Sequence, residues 1–471
     1  MENYPKGKNV LVMGLGRFGG GVDAVKYAQR EGAKVTVTDL LSADKLSDSM
    51  KQLADLDGIE YHLGSHKKKD FENADIIIVN PAIPPDNELL QIAREIKKTV
   101  TSQVEIFFQL CPATIIGITG SNGKSTTTAL TYHLLSNSIT ERKVYLTGNI
   151  GNQPTLCLLD KIKPQDLVVM EISSFQLEQL SNIKKAPLIS LITNLAPNHL
   201  DRHKQFKSYC AIKENIFKFQ SLEEKSPAVS IFNAEDKTAN QWFEKYKNNN
   251  GRICLKFSAD DVTGDIKKHY KLPGRANLSN LAASVTIAKH FGIDETQIKK
   301  ALPTFKALPH RLELVADING IQWYNDSKAT TPESTIAALQ SFENPIILIA
   351  GGYDKNIGFD SLGLEIAKRA KAAILIGRTA PKIASAIKKQ LATENREKFN
   401  FSHRGHREHR ETIIIKQARI LEEAVNLSNG IADPGDVVLL SPACASYDMF
   451  ENYEHRGREF SRLVLEIKAG A

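Results

Sequence analysis

The chain has 471 residues, 42% of them hydrophobic and 24% charged, a composition that excludes a disordered chain and a fibrous repeat. Lysine and arginine exceed aspartate and glutamate by 61 to 54, a mild excess that suits anionic small molecules and does not call for nucleic acid. At roughly 150 residues per domain, the length predicts about three domains rather than one oversized core.

The amino terminus passes from MENYPKGK straight into an apolar strand, NVLVM, and no apolar run approaches the roughly 18 residues of a membrane span. Neither membrane insertion nor secretion is expected. The cysteines (Cys111, Cys157, Cys210, Cys254 and Cys444) are odd in number, scattered and never in a C-x-x-C pair, as expected for free thiols in a reducing, cytoplasmic compartment.

Short Val- and Ile-rich strands then alternate with amphipathic helical stretches. NVLVMG, KVTVTD, DIIIVN, TIIGITG, DLVVME and LISLITN follow in order, each with a loop and usually a helix behind it. This βαβ rhythm predicts an α/β protein built on parallel sheets. It breaks near 100 and again near 305, where PTFKALPHR sets two prolines before a new strand set, WYND, PIILIAGG, AAILIG and DVVLLS. Three domains are expected, at 1–102, 103–307 and 308–471. Residues 391–412 are polar and basic and read as a solvated insertion. His403, His406 and His409 have metal-like spacing there, but Arg396, Arg404, Arg407 and Arg410 would repel a cation.

GLGRFG at residues 14–19 follows a strand and opens a helix, and Asp39 ends the next strand 20 residues after the last glycine. Gly14 and Gly16 would let backbone amides approach a pyrophosphate at the helix amino terminus, and Asp39 could hold a ribose or base edge. A nicotinamide or flavin dinucleotide, another nucleotide and a tight structural turn all remain open at this point.

TIIGITGSNGKSTTT at residues 114–128 is a buried strand, a Gly-rich turn and a helix start, with Lys124 followed by the hydroxyls of Ser125 and Thr126. Amides of such a loop and its lysine cradle β and γ phosphates, while a hydroxyl meets magnesium. The spacing G-x-x-x-x-G-K is missed, because Gly117 lies one residue too early and the nearer glycine is Gly120. A tighter loop is implied. Two further strand ends offer ligands: Glu171 after LVVM, and Asn198, His199 and Asp201 after LISLIT. In a parallel sheet these carboxyl ends open onto one edge, where they can converge on a magnesium–ATP site. Lys213, in the helical stretch FKSYCAIKENIFKF, shares a face with Tyr209, Ile216 and Phe217 and so points to the packed side. By its residues alone it reads as a lysine whose stem covers apolar surface.

GSNGKST at 120–126, TGNIG at 147–151, EISSFQLE at 171–178, NHLD at 198–201, LPHR at 308–311, NDSKAT at 325–330 and SPACASYDMFENYEHRGREF at 441–460 together resemble the Mur ligase family, over nearly the whole chain. The resemblance implies a Rossmann-like amino-terminal domain that holds the UDP of a sugar substrate, a central P-loop-type ATPase domain with a parallel sheet, and a Rossmann-like carboxy-terminal domain that binds the incoming amino acid. Gly14, Gly16, Arg17, Phe18 and Asp39 would then face UDP instead of a redox cofactor. SPACAS and the stretch behind it are most similar to the branch that adds D-glutamate to UDP-N-acetylmuramoyl-L-alanine, in the precursor synthesis that peptidoglycan, cell shape and division depend on.

The same resemblance implies ATP and Mg2+ as cofactors and a CO2-derived carbamate on Lys213, which would turn a cation into an oxygen donor of the kind magnesium prefers. Ser125, Glu171, His199 and Lys213 would be the metal residues, with Lys124, Glu171, His199 and Lys213 catalytic. Gly120, Ser121, Asn122, Gly123, Lys124, Ser125, Thr126, Asn280, Arg311 and Asp326 would hold ATP. Asn149 and His199 would lie near the muramoyl-alanine end, and Lys328, Thr330, Lys355, Ser446, Tyr447 and Tyr453 would form the D-glutamate pocket. A monomer whose domains close over ATP is expected, with no nucleic-acid or membrane partner. The chain departs from the family pattern at Phe18, Leu40 and Leu41 near the uridine, at Asn198 where an acid is common, at Ala276 where a histidine is usual, and at Tyr453, often Phe. A dehydrogenase or nucleotide sensor built on GLGRFG would leave Lys124, Glu171, Lys328 and Lys355 unexplained. A ligase with another amino-acid acceptor and a noncatalytic binding module are the remaining alternatives.

Overall fold

The computed structural model describes residues 5–17, 19–151, 153–198, 200–355, 357–401 and 413–470. Phe18, His199 and the histidine–arginine run at 403–410 lie outside the described residues. Seventeen strands among the described residues form three sheets. The first contains β1 (Asn9–Met13), β2 (Lys34–Asp39), β3 (Glu60–Leu63), β4 (Ile76–Val79) and β5 (Thr99–Thr101), in the order β3-β2-β1-β4-β5. The second contains β6 (Thr114–Thr119), β7 (Val144–Gly148), β8 (Leu167–Glu171), β9 (Ile189–Ile192), β10 (Ala228–Asn233) and β11 (Arg252–Phe257), in the order β11-β10-β9-β6-β8-β7. The third contains β12 (Glu313–Ile318), β13 (Ile321–Asn325), β14 (Ile346–Gly351), β15 (Ala370–Ile376), β16 (Ile414–Gln417) and β17 (Val437–Leu440), in the order β12-β13-β17-β14-β15-β16.

All pairings are parallel except β12 with β13. Strands of a parallel sheet are covered on both faces, so the central ones read as unbroken apolar runs. β4, β8, β9 and β17 are buried at every position. All ten strands predicted from such runs are present.

The chain divides into two compact units, Met1–Ile266 with Ser279–Leu302, and Lys267–Leu278 with Pro303–Ala471. The first carries two sheets. One apolar cluster runs through both of them, from Val10 and Val25 through Leu156 to Val168, Leu177 and Phe232, which is why they cohere. The second unit carries the third sheet, with Leu348 and Leu439 packed on one face and Ile347, Trp323 and Phe460 on the other.

Residues 391–401, read from sequence as part of a solvated insertion, continue the helix Ala380–Phe401. Ala, Glu, Arg and Lys in ATENREK are good helix formers, and polarity alone did not distinguish a helix from a loop.

Candidate active site

The first unit builds the Gly-rich loop expected to hold phosphates between β6 and the helix Lys124–Ser138. Gly120 has φ +148° and Gly123 φ +80°. A Cβ at Gly120 would stand 1.8 Å from Thr193 Oγ1, and one at Gly123 would stand 2.3 Å from Asn280 Oδ1. Only glycine fits either position. The loop is held from the carboxyl end of the neighbouring β9: Thr193 Oγ1 donates to Asn122 O at 2.6 Å, and Asn194 accepts from Asn122 N and donates to Asn122 O, both at 3.0 Å. Lys124 Nζ donates to Ser121 O across the turn at 2.8 Å, and Thr127 Oγ1 donates to Asn280 Oδ1 at 3.2 Å. Ser125 and Thr126 are buried in the first helical turn.

β8 lies beside β6 with Ile118 opposite Glu171, and β7 lies beside β8 with Gly148 opposite Glu171. The Gly-rich loop, Glu171 and the TGNIG loop therefore leave the same carboxyl edge of the sheet, and the topological switch point where open α/β sheets bind ligands lies beside that loop, between β6 and β9. Glu171 is buried. Its Oε1 accepts from Asn149 Nδ2 at 3.2 Å, while its buried Oε2 has no partner. An orphan carboxylate oxygen of this kind fits a hard cation. Lys213 lies on the helix Phe206–Lys218, buried alongside Tyr209, Ile216 and Phe217 as the spacing predicts. Its Nζ donates to Thr119 Oγ1 at 3.1 Å and sits 4.9 Å from the Tyr209 ring centroid. Burial first, and the Lys124 charge second, push its amine well below the ordinary lysine value, with Glu171 acting in the opposite sense.

In the first sheet, Asp39 ends β2 and braces the Gly-rich turn: its Oδ2 accepts from Gly16 N at 3.0 Å and its Oδ1 from Leu41 N at 2.8 Å. Ser49 Oγ donates to Gly16 O and Asn80 Nδ2 to Gly14 O. Arg17 is exposed, and Leu40 is 67% exposed beside Asp39.

The second unit has its own convergence. β13, β17 and β14 end at one level, with Asn325 and Ile349 each opposite Leu440. The loops bearing NDSKAT, SPACAS and GGYDK leave there. Asp326 is buried, accepts from Ser441 Oγ at 2.8 Å and from Leu312 N at 3.2 Å, and is pushed up to about 7 by burial against those bonds and the Arg311 charge. Lys328 Nζ lies 5.3 Å from the Tyr453 ring centroid. Ser446 is buried, Thr330 half-buried, and Lys355 and Tyr447 are exposed. Arg456, fully buried, donates to Ser327 Oγ, Ser327 O and Cys444 O, which ties two of these loops together.

Sequence reasoning missed Asn194, Ser49, Asn80, Arg456 and the pair His203 and Ser174, joined at 3.1 Å beside Tyr209. Asn194 and Asn80 stand directly behind predicted strands, which was the available signal. Arg456 lies within the stretch 441–460 that carries the family resemblance, where it was given no role. A cavity of 520 Å³ lined by Ile83, Arg94, Glu105, Gln179 and Arg202 has walls that include none of the predicted site residues among those described.

The fold and these loops define an α/β protein with a Gly-rich strand–turn–helix of the P-loop type. The Mur ligase MurD-like amino-terminal domain matches residues 8–102, the Mur ligase middle domain matches 118–269, and the Mur ligase glutamate ligase domain matches 310–444. UDP-N-acetylmuramoylalanine–D-glutamate ligase of Acetivibrio thermocellus is 39% identical, over 98% of this chain and 97% of that protein. The enzyme of the same name from Roseiflexus sp. is 38% identical over 97% and 98%. The chain belongs to the Mur ligase family. In overall fold it is similar to MurF ligase from Thermotoga maritima in complex with ADP (TM-score 0.55, 17% identity, 99% and 97% of the two chains). It is also similar to a pseudomurein peptide ligase type C from Methanothermus fervidus (TM-score 0.52, 17% identity, 98% and 100%).

Proposed function

We propose that the chain is an ATP-dependent ligase joining D-glutamate to the alanyl carboxylate of UDP-N-acetylmuramoyl-L-alanine, in cytoplasmic peptidoglycan precursor synthesis. The observation that carries this reading is the buried, half-unpartnered Glu171 on the strand next to the phosphate loop, in a chain whose full-length relatives bear that ligase's name. Domains at 1–102, 103–307 and 308–471 would bind the UDP-sugar, ATP and the amino acid, in a monomer. Among the described residues no helix is long and apolar enough to cross a membrane.

A carboxylate is a poor electrophile. Transfer of the γ-phosphoryl group of ATP to the alanyl carboxylate oxygen releases ADP and leaves an acyl phosphate. The amine of D-glutamate attacks its carbonyl carbon, the tetrahedral intermediate expels phosphate, and an amide bond remains. Lys124 and the amides of residues 120–126 would neutralise charge on the phosphoryl oxygens in the first step. Ser125, Glu171, His199 and Lys213 would hold magnesium, which would supply further positive charge there. A buried lysine driven towards its neutral amine is the form that CO2 converts to a carbamate, and this supports the carbamate on Lys213. Asn280, Arg311 and Asp326 would hold the adenine nucleotide. Gly14, Gly16, Arg17, Phe18 and Asp39 would hold UDP, with Asn149 and His199 towards the muramoyl-alanine end. Lys328 and Lys355, with Thr330, Ser446, Tyr447 and Tyr453, would receive a dicarboxylate amino acid, since two ammonium groups match its two carboxylates.

Mass analysis of the product from ATP, UDP-N-acetylmuramoyl-L-alanine and a panel of amino acids tests the reading. D-glutamate should give a product one glutamyl residue heavier, with equimolar ADP and phosphate. Turnover with another amino acid instead would overturn the acceptor, and product formed without ATP would overturn the ligase chemistry.

A further inference from the structure

Asp23 lies on the helix Gly20–Arg30, is 5% exposed, and belongs to none of the motifs above. Its Oδ2 accepts from Gln103 Nε2 at 2.6 Å, Leu156 N at 2.7 Å and Thr155 N at 3.1 Å, and its Oδ1 accepts from Cys157 N at 3.1 Å. A buried carboxylate meeting four donors makes strong, charge-assisted bonds, and three of the donors are backbone amides at the start of the 3₁₀ turn Leu156–Leu158.

The partners come from three stretches of the first unit. Asp23 N donates to Gly19 O at 2.9 Å, so the carboxylate sits one turn behind the Gly-rich turn. Gln103 opens the helix Gln103–Leu110 directly after β5. Thr155 shares a hydrogen bond with Thr147 at 2.8 Å, and Thr147 also donates to Pro154 O. Two residues on, Asn149 N donates to Glu171 O at 2.9 Å and its side chain meets Glu171 Oε1. A set of buried and part-buried bonds, carried along the chain from Thr147 to Asn149, thus runs from the turn at 14–19 through Asp23 to the TGNIG loop and Glu171.

We propose that Asp23 is a positioning residue that fixes the spacing between the turn gripping the UDP end of the substrate and the loop where the same molecule's carboxylate is activated; this rests on the function proposed above. When one ligand is held at two points, the second contact strengthens binding only if the spacing matches, and a misplacement of about 1 Å costs about 10²-fold.

The test compares UDP with intact UDP-N-acetylmuramoyl-L-alanine by calorimetric titration of Asp23→Asn, which keeps the shape but turns one acceptor into a donor facing an amide. UDP alone should bind within about twofold of the native protein. The intact substrate should bind at least about tenfold more weakly, with its KM raised and the KM for ATP unchanged. Gln103→Leu removes one donor and leaves the three amides, and should show a smaller loss of the same kind should Asp23→Asn not fold. Asp166→Asn is the control: that buried carboxylate accepts from Lys143 N and Lys163 N, away from this path, and should lower stability without changing the ratio of the two affinities. Equal weakening of UDP and intact substrate, or an unchanged ratio in both variants, would overturn the role. A native protein that binds UDP but not the intact substrate would instead overturn the functional reading.

Discussion

Replacing Lys213 with alanine separates stability from chemistry. The side chain is 1% exposed, so Lys213→Ala removes three buried methylenes at about 0.8 kcal/mol each, or roughly 2 kcal/mol, and some of that is returned because no amine is left to bury. For a domain of this size that lowers Tm by only about 2–6 °C. The reaction should suffer far more. If Lys213 carries a carbamate that helps hold the magnesium offsetting charge during phosphoryl transfer, its loss should cost about 3–4 kcal/mol, or about 10²–10³-fold in turnover. Phosphate release with ATP, UDP-N-acetylmuramoyl-L-alanine and D-glutamate reads the rate, and thermal unfolding reads the fold. Short-chain carboxylates should restore part of the activity by occupying the vacated anionic position, and 13C-bicarbonate should give a carbamate signal in the native protein that the variant lacks. Full activity in a folded Lys213→Ala would refute the carbamate assignment.

Gly120→Ala should fold less stably by about 2–4 kcal/mol and bind ATP poorly, because the new Cβ meets Thr193 Oγ1 and the backbone has φ +148°; normal nucleotide binding in calorimetry would contradict the loop geometry. Asp326 has its folded-state pKa raised to about 7 by burial, so its contribution to stability is complete below its unfolded pKa of about 3.9 and is lost as pH rises through 7. Asp326→Asn does not titrate, and its stability relative to the native protein should therefore rise between pH 5 and pH 8, by roughly a few kcal/mol at most. Denaturant titrations at several pH values check this, and a flat difference would contradict it. Lys328→Met and Lys355→Met should each raise the KM for D-glutamate about 10–100-fold, the worth of one charged hydrogen bond, with the KM for ATP nearly unchanged. Steady-state kinetics with each substrate varied in turn decide that.

The sheets were legible because buried parallel strands must be apolar on both faces: NVLVM, IIIV, LVVM and VVLL announce themselves. Strands that the apolar runs did not announce include the edges β3, β11 and β16, whose runs are broken by exposed charged residues such as Glu60, Lys256 and Lys416. The buried β10 was also missed, its run broken by Ser230, which is bonded to Gln220 and Arg252. Motifs marked the groups that would meet ligands, such as Lys124, Glu171 and Lys328. They did not mark the residues that hold those groups in place. Asp23, Asn194 and Arg456 act through backbone groups of segments distant in sequence, and such partners exist only once the chain has folded. The sheet edge, with Ile118 opposite Glu171, is where the two levels meet: sequence predicted that these ends would converge, and register brought it about.

Oxygen transfer tests the account most directly. With 18O in the alanyl carboxylate of UDP-N-acetylmuramoyl-L-alanine, the phosphate released during amide formation should carry one labelled oxygen per turnover. Phosphate free of label, with amide formed at the same rate, would mean that the carboxylate is never phosphorylated.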